Sequence, residues 1–147
     1  MELILWRHAE AEDGFPDDAR KLTPKGEMQA EKMAAWLRGR LPENARIIAS
    51  PTKRTRQTAE ALASDYSVVK RIGPGASVED VLNSAGWPGE GEAVVVVGHQ
   101  PNIGEVCAAL LSRNLTGGLV VKKGSVWWFS NGKGPALLKA VMTPALL

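Results

Sequence analysis

The segment AVVVVGH, residues 93 to 99, constrains the fold more than any other stretch of the chain. Side chains along a strand alternate between its two sides, so four consecutive valines leave no polar side to face water. Strands of this kind sit at the centre of parallel sheets, where helices cover both faces. Parallel neighbours need crossovers of a dozen residues or more, usually helical. The rest of the chain is therefore expected to alternate strand and helix.

It does. Residues 2 to 6 form a short apolar run that reads as a buried strand, and the acid-rich stretch from Glu10 to Lys21, with Gly14 and Pro16, reads as a loop. Thr23-Pro24 has the form of a helix start, an N-cap followed by proline at the first helical position. Met28, Ala30, Met33, Ala34 and Leu37 continue with helical spacing until Gly39 and Pro42. ARIIAS (45–50) predicts a second strand, and Ser50-Pro51 the opening of a helix through Ala63. YSVVKRI (66–72) predicts a short strand, Gly73-Pro74-Gly75 a turn, and Ser77 the cap of a helix carrying Val78, Val81 and Leu82. A helix from Pro101 to Leu111 and a loop around Thr116-Gly117-Gly118 follow. GSVWWFS (124–130) and ALLKAVM (136–142), joined by NGKG, predict a terminal hairpin. Trp127 and Trp128 then point to opposite faces, one into the core and one near a possible partner surface. The expected fold is α/β: a three-layer α/β/α sandwich whose mainly parallel sheet ends in an antiparallel edge.

Composition narrows the function. A chain of 147 residues suits one domain, 1–147, and 44% hydrophobic with 23% charged residues excludes wholesale disorder. Eighteen basic against 16 acidic residues leave a net charge of +2, too little to indicate nucleic acid. Lys53, Arg56, Lys122 and Lys123 are read as surface charge. No apolar run is long enough for a bilayer span, and residues 3 to 6 are too few for a signal-peptide core, so a cytoplasmic protein is expected. Cys107 is the only cysteine and sits in the apolar pattern IGEVCAALL, as a packed thiol does. One cysteine and two distant histidines give no zinc spacing. Neither metal nor cofactor is expected.

Functional groups of open parallel sheets gather at the carboxyl ends of the strands. Arg7 and His8 end the first strand and His99 ends the valine strand, so both histidines of the chain fall on one sheet edge. Arg54 lies at the start of the helix after the second strand. Singly, each has a plain structural reading: a histidine at a strand end is usually structural, and a basic helix start is usually a solvated face. Together they form a cationic pocket. Guanidinium forks bind phosphate oxygens bidentately, and a helix start adds its dipole. A neutral imidazole beside arginines is a nucleophile for phosphorus, and the same charges stabilise phosphoryl oxygens in the transition state.

RHAEAED after an amino-terminal strand, ASPTKRTRQTAE, and VVVVGHQPNIG resemble the histidine phosphatase superfamily, which includes the cofactor-dependent phosphoglycerate mutases. The short length, DDARKLTPKG and GHQPN resemble its SixA-type phosphohistidine phosphatases. The resemblance runs from residue 2 to about 112. It implies a phosphoglycerate mutase-like sandwich, His8 as the nucleophile that becomes phosphorylated, and Arg7, Arg54 and His99 as the rest of the phosphate pocket. The family's RHG is Arg7-His8-Ala9 here. Larger relatives take a general-acid glutamate from the segment where this chain has RIGPGAS; Glu79 and Asp80 come later and read as helix surface. Asp17 and Arg20, in D-x-x-R-x-L-T, match the SixA-like pattern, with Asp17 the candidate acid, Arg20 a candidate substrate contact and Asp18 an alternative acid. A solvated acidic loop is an equal reading of these three.

Weak acid provision bears on the substrate. An alkoxide leaving group needs a placed acid, whereas imidazole leaving phosphohistidine has a conjugate acid of pKa ~6.5. Few residues are spare for a lid, and an open pocket admits a side chain presented by another protein. The expected activity is removal of phosphate from phosphohistidine on a signalling or phosphotransfer protein, with no nucleic-acid or membrane partner. A phosphatase for small phosphomonoesters and a non-catalytic phosphate-binding module are the alternatives.

Overall fold

The computed structural model describes residues 1–111, 119–132 and 134–147. The loop expected around Thr116-Gly117-Gly118, and Lys133 of the expected NGKG turn, lie outside them. The strands are β1 (Glu2–Arg7), β2 (Arg46–Ala49), β3 (Ser67–Val68), β4 (Ala93–Gly98), β5 (Val126–Ser130) and β6 (Leu137–Met142). The helices among the described residues are α1 (Pro24–Arg38), α2 (Lys53–Leu62), α3 (Val78–Ala85) and α4 (Asn102–Leu111).

The six strands form one sheet in the order β3-β2-β4-β1-β5-β6. The first four of these are parallel, and β5 and β6 add an antiparallel edge. As the valine run required, every residue of β4 is buried. Val95 and Val97 face a layer formed by α1 and α2 around Met33, Leu37 and Ala59. Val94 and Val96 face the opposite layer, formed by α3 and α4 around Val81, Ile103 and Val106. Trp127 and Trp128 divide in the same way, Trp128 with the first cluster and Trp127 packed against the second, so both tryptophans pack against core clusters.

The helix starts follow local chemistry. The Thr23 side chain accepts from Gly26 N and precedes Pro24, while Ser77 and Asp80 form a reciprocal capping box. Two elements differ from expectation. The segment 66–72 has only two strand residues, followed by a 3-10 turn over Lys70–Ile72 that buries Ile72. This is the sheet edge, where a long apolar strand would expose unpaired backbone groups. Helix α2 begins two residues after Ser50-Pro51, because Thr52 is the N-cap and accepts from Thr55 N. That leaves Ser50 free for another partner.

Candidate phosphate site

The connection leaving β1 crosses one face of the sheet through α1, and the connection leaving β4 enters α4 on the other. A crevice therefore opens beyond the carboxyl ends of these adjacent strands, as at a topological switch point. Arg7 is in register with Gly98, so His8 and His99 follow one step beyond the paired residues. Their rings lie 5.4 Å apart between centroids, inclined at 57°. Ser50, at the end of β2, completes a row of three neighbouring strand ends, its N donating to Val97 O at 3.2 Å.

His8 is 7% exposed, and its Nδ1 lies 2.7 Å from the carbonyl oxygen of Ala9. A carbonyl only accepts, so Nδ1 carries the proton and Nε2 holds the lone pair. Ala9 is fixed in turn, its N donating to Thr58 Oγ1 at 3.1 Å. Burial pushes the His8 pKa down to about 4, with Arg54, Arg7 and Arg20 lowering it further and the Ala9 carbonyl opposing them. The imidazole is thus neutral at physiological pH, the form that a nucleophile requires.

His99 is 3% exposed. Its Nδ1 lies 3.5 Å from Nη2 of Arg54, a pure donor, and its Nε2 lies 2.6 Å from Ser50 Oγ. Nδ1 therefore accepts and Nε2–H donates to the serine. Burial first, then His8 and Arg54, bring its pKa down to about 3, against a raising contribution from Asp17. An arriving phosphoryl dianion reverses the sign of the surrounding field and favours a proton on this ring.

Arg54, 5% exposed, is held by Asp17. Its Nη1 donates to the Asp17 carbonyl at 2.9 Å and its Nη2 to Asp17 Oδ2 at 3.0 Å. Arg20 Nη1 donates to Asp17 Oδ1 at 3.1 Å, and Arg20 Nε to Glu12 O at 2.7 Å. These hydrogen bonds from Arg20 and Arg54 hold the Asp17 carboxyl below the usual carboxylate range. In this arrangement it is an ionised clamp on Arg54. Arg7 donates from Nη1 to Val121 O at 2.8 Å. Among the described residues, the Nε atoms of both Arg7 and Arg54 are buried donors without an acceptor.

The four residues singled out at the strand ends and helix start are thus brought to one crevice, with Asp17 and Arg20 on its rim. Sequence reasoning did not find Ser50 or the carbonyl of Val121. Ser50 carried a usable signal, its place at a strand end, obscured by its resemblance to a helix start. Val121 carried none, since backbone carbonyls are invisible to residue type. Asp80, read as helix surface, belongs to the α3 cap and to an ion pair with Arg71. Among the described residues no three His, Cys, Asp or Glu side chains converge as metal ligands would.

Two buried histidines flanked by two guanidiniums thus lie at the carboxyl ends of neighbouring strands in a sheet covered on both faces. The profile of the histidine phosphatase superfamily (branch 1) matches residues 3–75. The chain is 34% identical over 121 residues to the phosphohistidine phosphatase SixA of Escherichia coli, covering 75% of this chain and 74% of that protein. This chain belongs to the histidine phosphatase superfamily. Its fold is similar to that of the protein histidine phosphatase SixA complexed with tungstate, with TM-score 0.82, 25% identity and 99% of each chain covered. A provisionally named SixA from Nakamurella multipartitia has TM-score 0.81 at 28% identity, over 97% of this chain and 95% of that one. No helix among the described residues is long and apolar enough to cross a membrane.

Proposed function

We propose that this protein is a cytoplasmic phosphohistidine phosphatase that acts on a phosphorylated signalling or phosphotransfer protein through a covalent intermediate on His8. The observation that carries this reading is the pinning of His8 Nδ1–H to the Ala9 carbonyl, which presents Nε2 as a neutral nucleophile beside Arg7, Arg54 and His99.

Nε2 of His8 attacks phosphorus, forming a new P–N bond as the bond to the substrate imidazole nitrogen breaks. The substrate ring, already protonated by solvent at its other nitrogen, keeps the bonding pair and leaves as neutral imidazole. Arg7 and Arg54 hold the equatorial oxygens, and His99, protonated in the anion's field, donates from Nδ1 to another. Water then attacks the phosphorylated His8, returning the free imidazole and inorganic phosphate. Asp17 orients Arg54 throughout, with Arg20 as its second cation.

Two points support a P–N substrate. Asp17 is ionised in the resting site and has no proton ready for an alkoxide, whereas imidazole leaves with little help. The curated relative at 34% identity is a phosphohistidine phosphatase.

The test is rapid-quench labelling with a 32P-phosphohistidine protein, followed by kcat/KM on that protein and on a panel of sugar, nucleotide and amino-acid phosphates. An acid-labile phosphoenzyme absent in His8→Ala is expected. Turnover by His8→Ala would overturn the mechanism, and a higher kcat/KM for a small ester would reassign the substrate.

A further inference from the structure

A cleft of about 580 Å3 opens beside the phosphate crevice, and Arg7 lies in its wall. Three distant segments build it. Helix α1 contributes Lys25, Met28 and Lys32, whose spacing of three and four residues places them on one face. The segment leading into β5 contributes Val120, Lys122 and Lys123, and the turn after β6 closes the far side with Pro144. The cleft is tied to the nucleophile through backbone: Gly124 N lies 3.1 Å from the carbonyl oxygens of both Arg7 and His8. Lys122 and Lys123 thus sit within two residues of a contact to His8 itself.

Its charge is one-sided. Four lysines and Arg7 face a single acid, Glu10, whose carboxylate already accepts from Thr23 Oγ1 at 2.8 Å. The ion pairs among the described residues involve none of the four lysines. The loop that brings Asp17 to Arg54 also exposes Glu12, Asp13 and Asp18. A uniform polyanion laid across the site would be repelled there, whereas a protein with one acidic patch need touch only the basic side. Among the described residues, no aromatic side chain lines the cleft to stack a base. Between the lysines stand Met28 and Val120, 57% and 77% exposed, the apolar-with-basic mixture of a protein interface.

We infer that this cleft docks an acidic face of the phosphorylated substrate protein while its phosphohistidine enters the pocket beside it. This rests on the phosphoprotein reading above and assigns the recognition to the four lysines, with Arg7 alone shared between cleft and pocket.

The test compares the wild type with a fourfold variant, Lys25→Gln, Lys32→Gln, Lys122→Gln and Lys123→Gln. One substrate is a phosphorylated histidine phosphotransfer domain with carboxylates around its phosphohistidine; the other is free phosphohistidine. At about 50 mM salt the variant should lose about tenfold or more in kcat/KM on the protein, through KM, and the gap should close at high salt. Turnover of free phosphohistidine should be unchanged, which also reports an intact fold. Equal kcat/KM on the protein for the two enzymes, or an equal loss on both substrates, would overturn the docking assignment while leaving the proposed activity standing. A wild type that hydrolyses small phosphates but not the phosphoprotein would overturn the activity and the docking together. Salt-sensitive binding of a single-stranded oligonucleotide that the variant loses, with phosphoprotein turnover unaffected, would reassign the cleft to nucleic acid.

Discussion

Ser50 Oγ lies 2.6 Å from Nε2 of His99, linking the ends of two neighbouring strands by a buried hydrogen bond. Arg54, donating to Nδ1, places the proton on Nε2, and the serine is the acceptor that satisfies it there. Ser50→Ala strands a buried N–H and frees the ring to take the other tautomer. A fall in kcat/KM of roughly tenfold to a hundredfold is expected. The 15N signals of His99 should lose their Nε2–H signature in the same variant. A fall in activity with that signature intact would make Ser50 merely structural.

Acid should weaken the fold in a defined window. An unfolded imidazole titrates at about 6.5, while His8 and His99 in the folded protein lie at about 4 and about 3. Between these values the unfolded chain binds more protons than the folded one, so stability rises with pH there and is lost as pH falls. Urea midpoints measured from pH 7 to pH 4.5 should drop less steeply in a His8→Asn, His99→Gln variant than in the wild type. Parallel slopes would mean that these imidazoles are not held neutral.

Asp17 is expected to act through Arg54. Asp17→Asn removes the carboxylate that holds the guanidinium and should lower kcat/KM about tenfold. The factor should be the same for phosphohistidine and for an alkyl phosphate. A loss concentrated on the alkyl ester would instead give Asp17 the role of proton donor.

Gly26 lies where α1 passes the loop following His8. A β-carbon there would run into the carbonyl of Glu10, which accepts from Thr23 N at 3.0 Å. Gly26→Ala should destabilise the protein by about 1–3 kcal/mol and lower activity with it, since either helix or loop must shift. Thermal melts and steady-state rates on the same preparation would show it. An unchanged melting temperature would mean that the close approach is relieved without cost.

Cys107 is fully buried against α3 and the sheet, and burial pushes its thiol up to about 12. Iodoacetamide at pH 8 should leave the native protein unlabelled and fully active, and label it stoichiometrically in urea. Labelling of the native protein would show that α4 opens.

What the sequence revealed was set by periodicity and residue type. Val94 to Val97 identified the central strand because a run with no polar side fits a strand covered on both faces, and the strand-end rule then placed His8 and His99 together. Ser67 to Ile72 misled because Val68 and Val69 resemble a strand, while only the sheet's order shows that they lie at its edge. Thr52 outcompetes Ser50 as a cap through a hydrogen bond that composition does not encode. The basic cleft was scattered across positions about ninety residues apart, and its lysines looked like ordinary surface charge until α1 and the segment before β5 met.

The position of β1 also governs when the site can exist. The first strand of the chain is paired on one side with residues 93–98 and on the other with residues 126–130. During synthesis, Leu3 to Trp6 must therefore wait, apolar and unpaired, until residues 93–130 have left the ribosome. His8 hangs from that waiting strand. That residue can be put in place only after partners about a hundred residues further along the chain have been made.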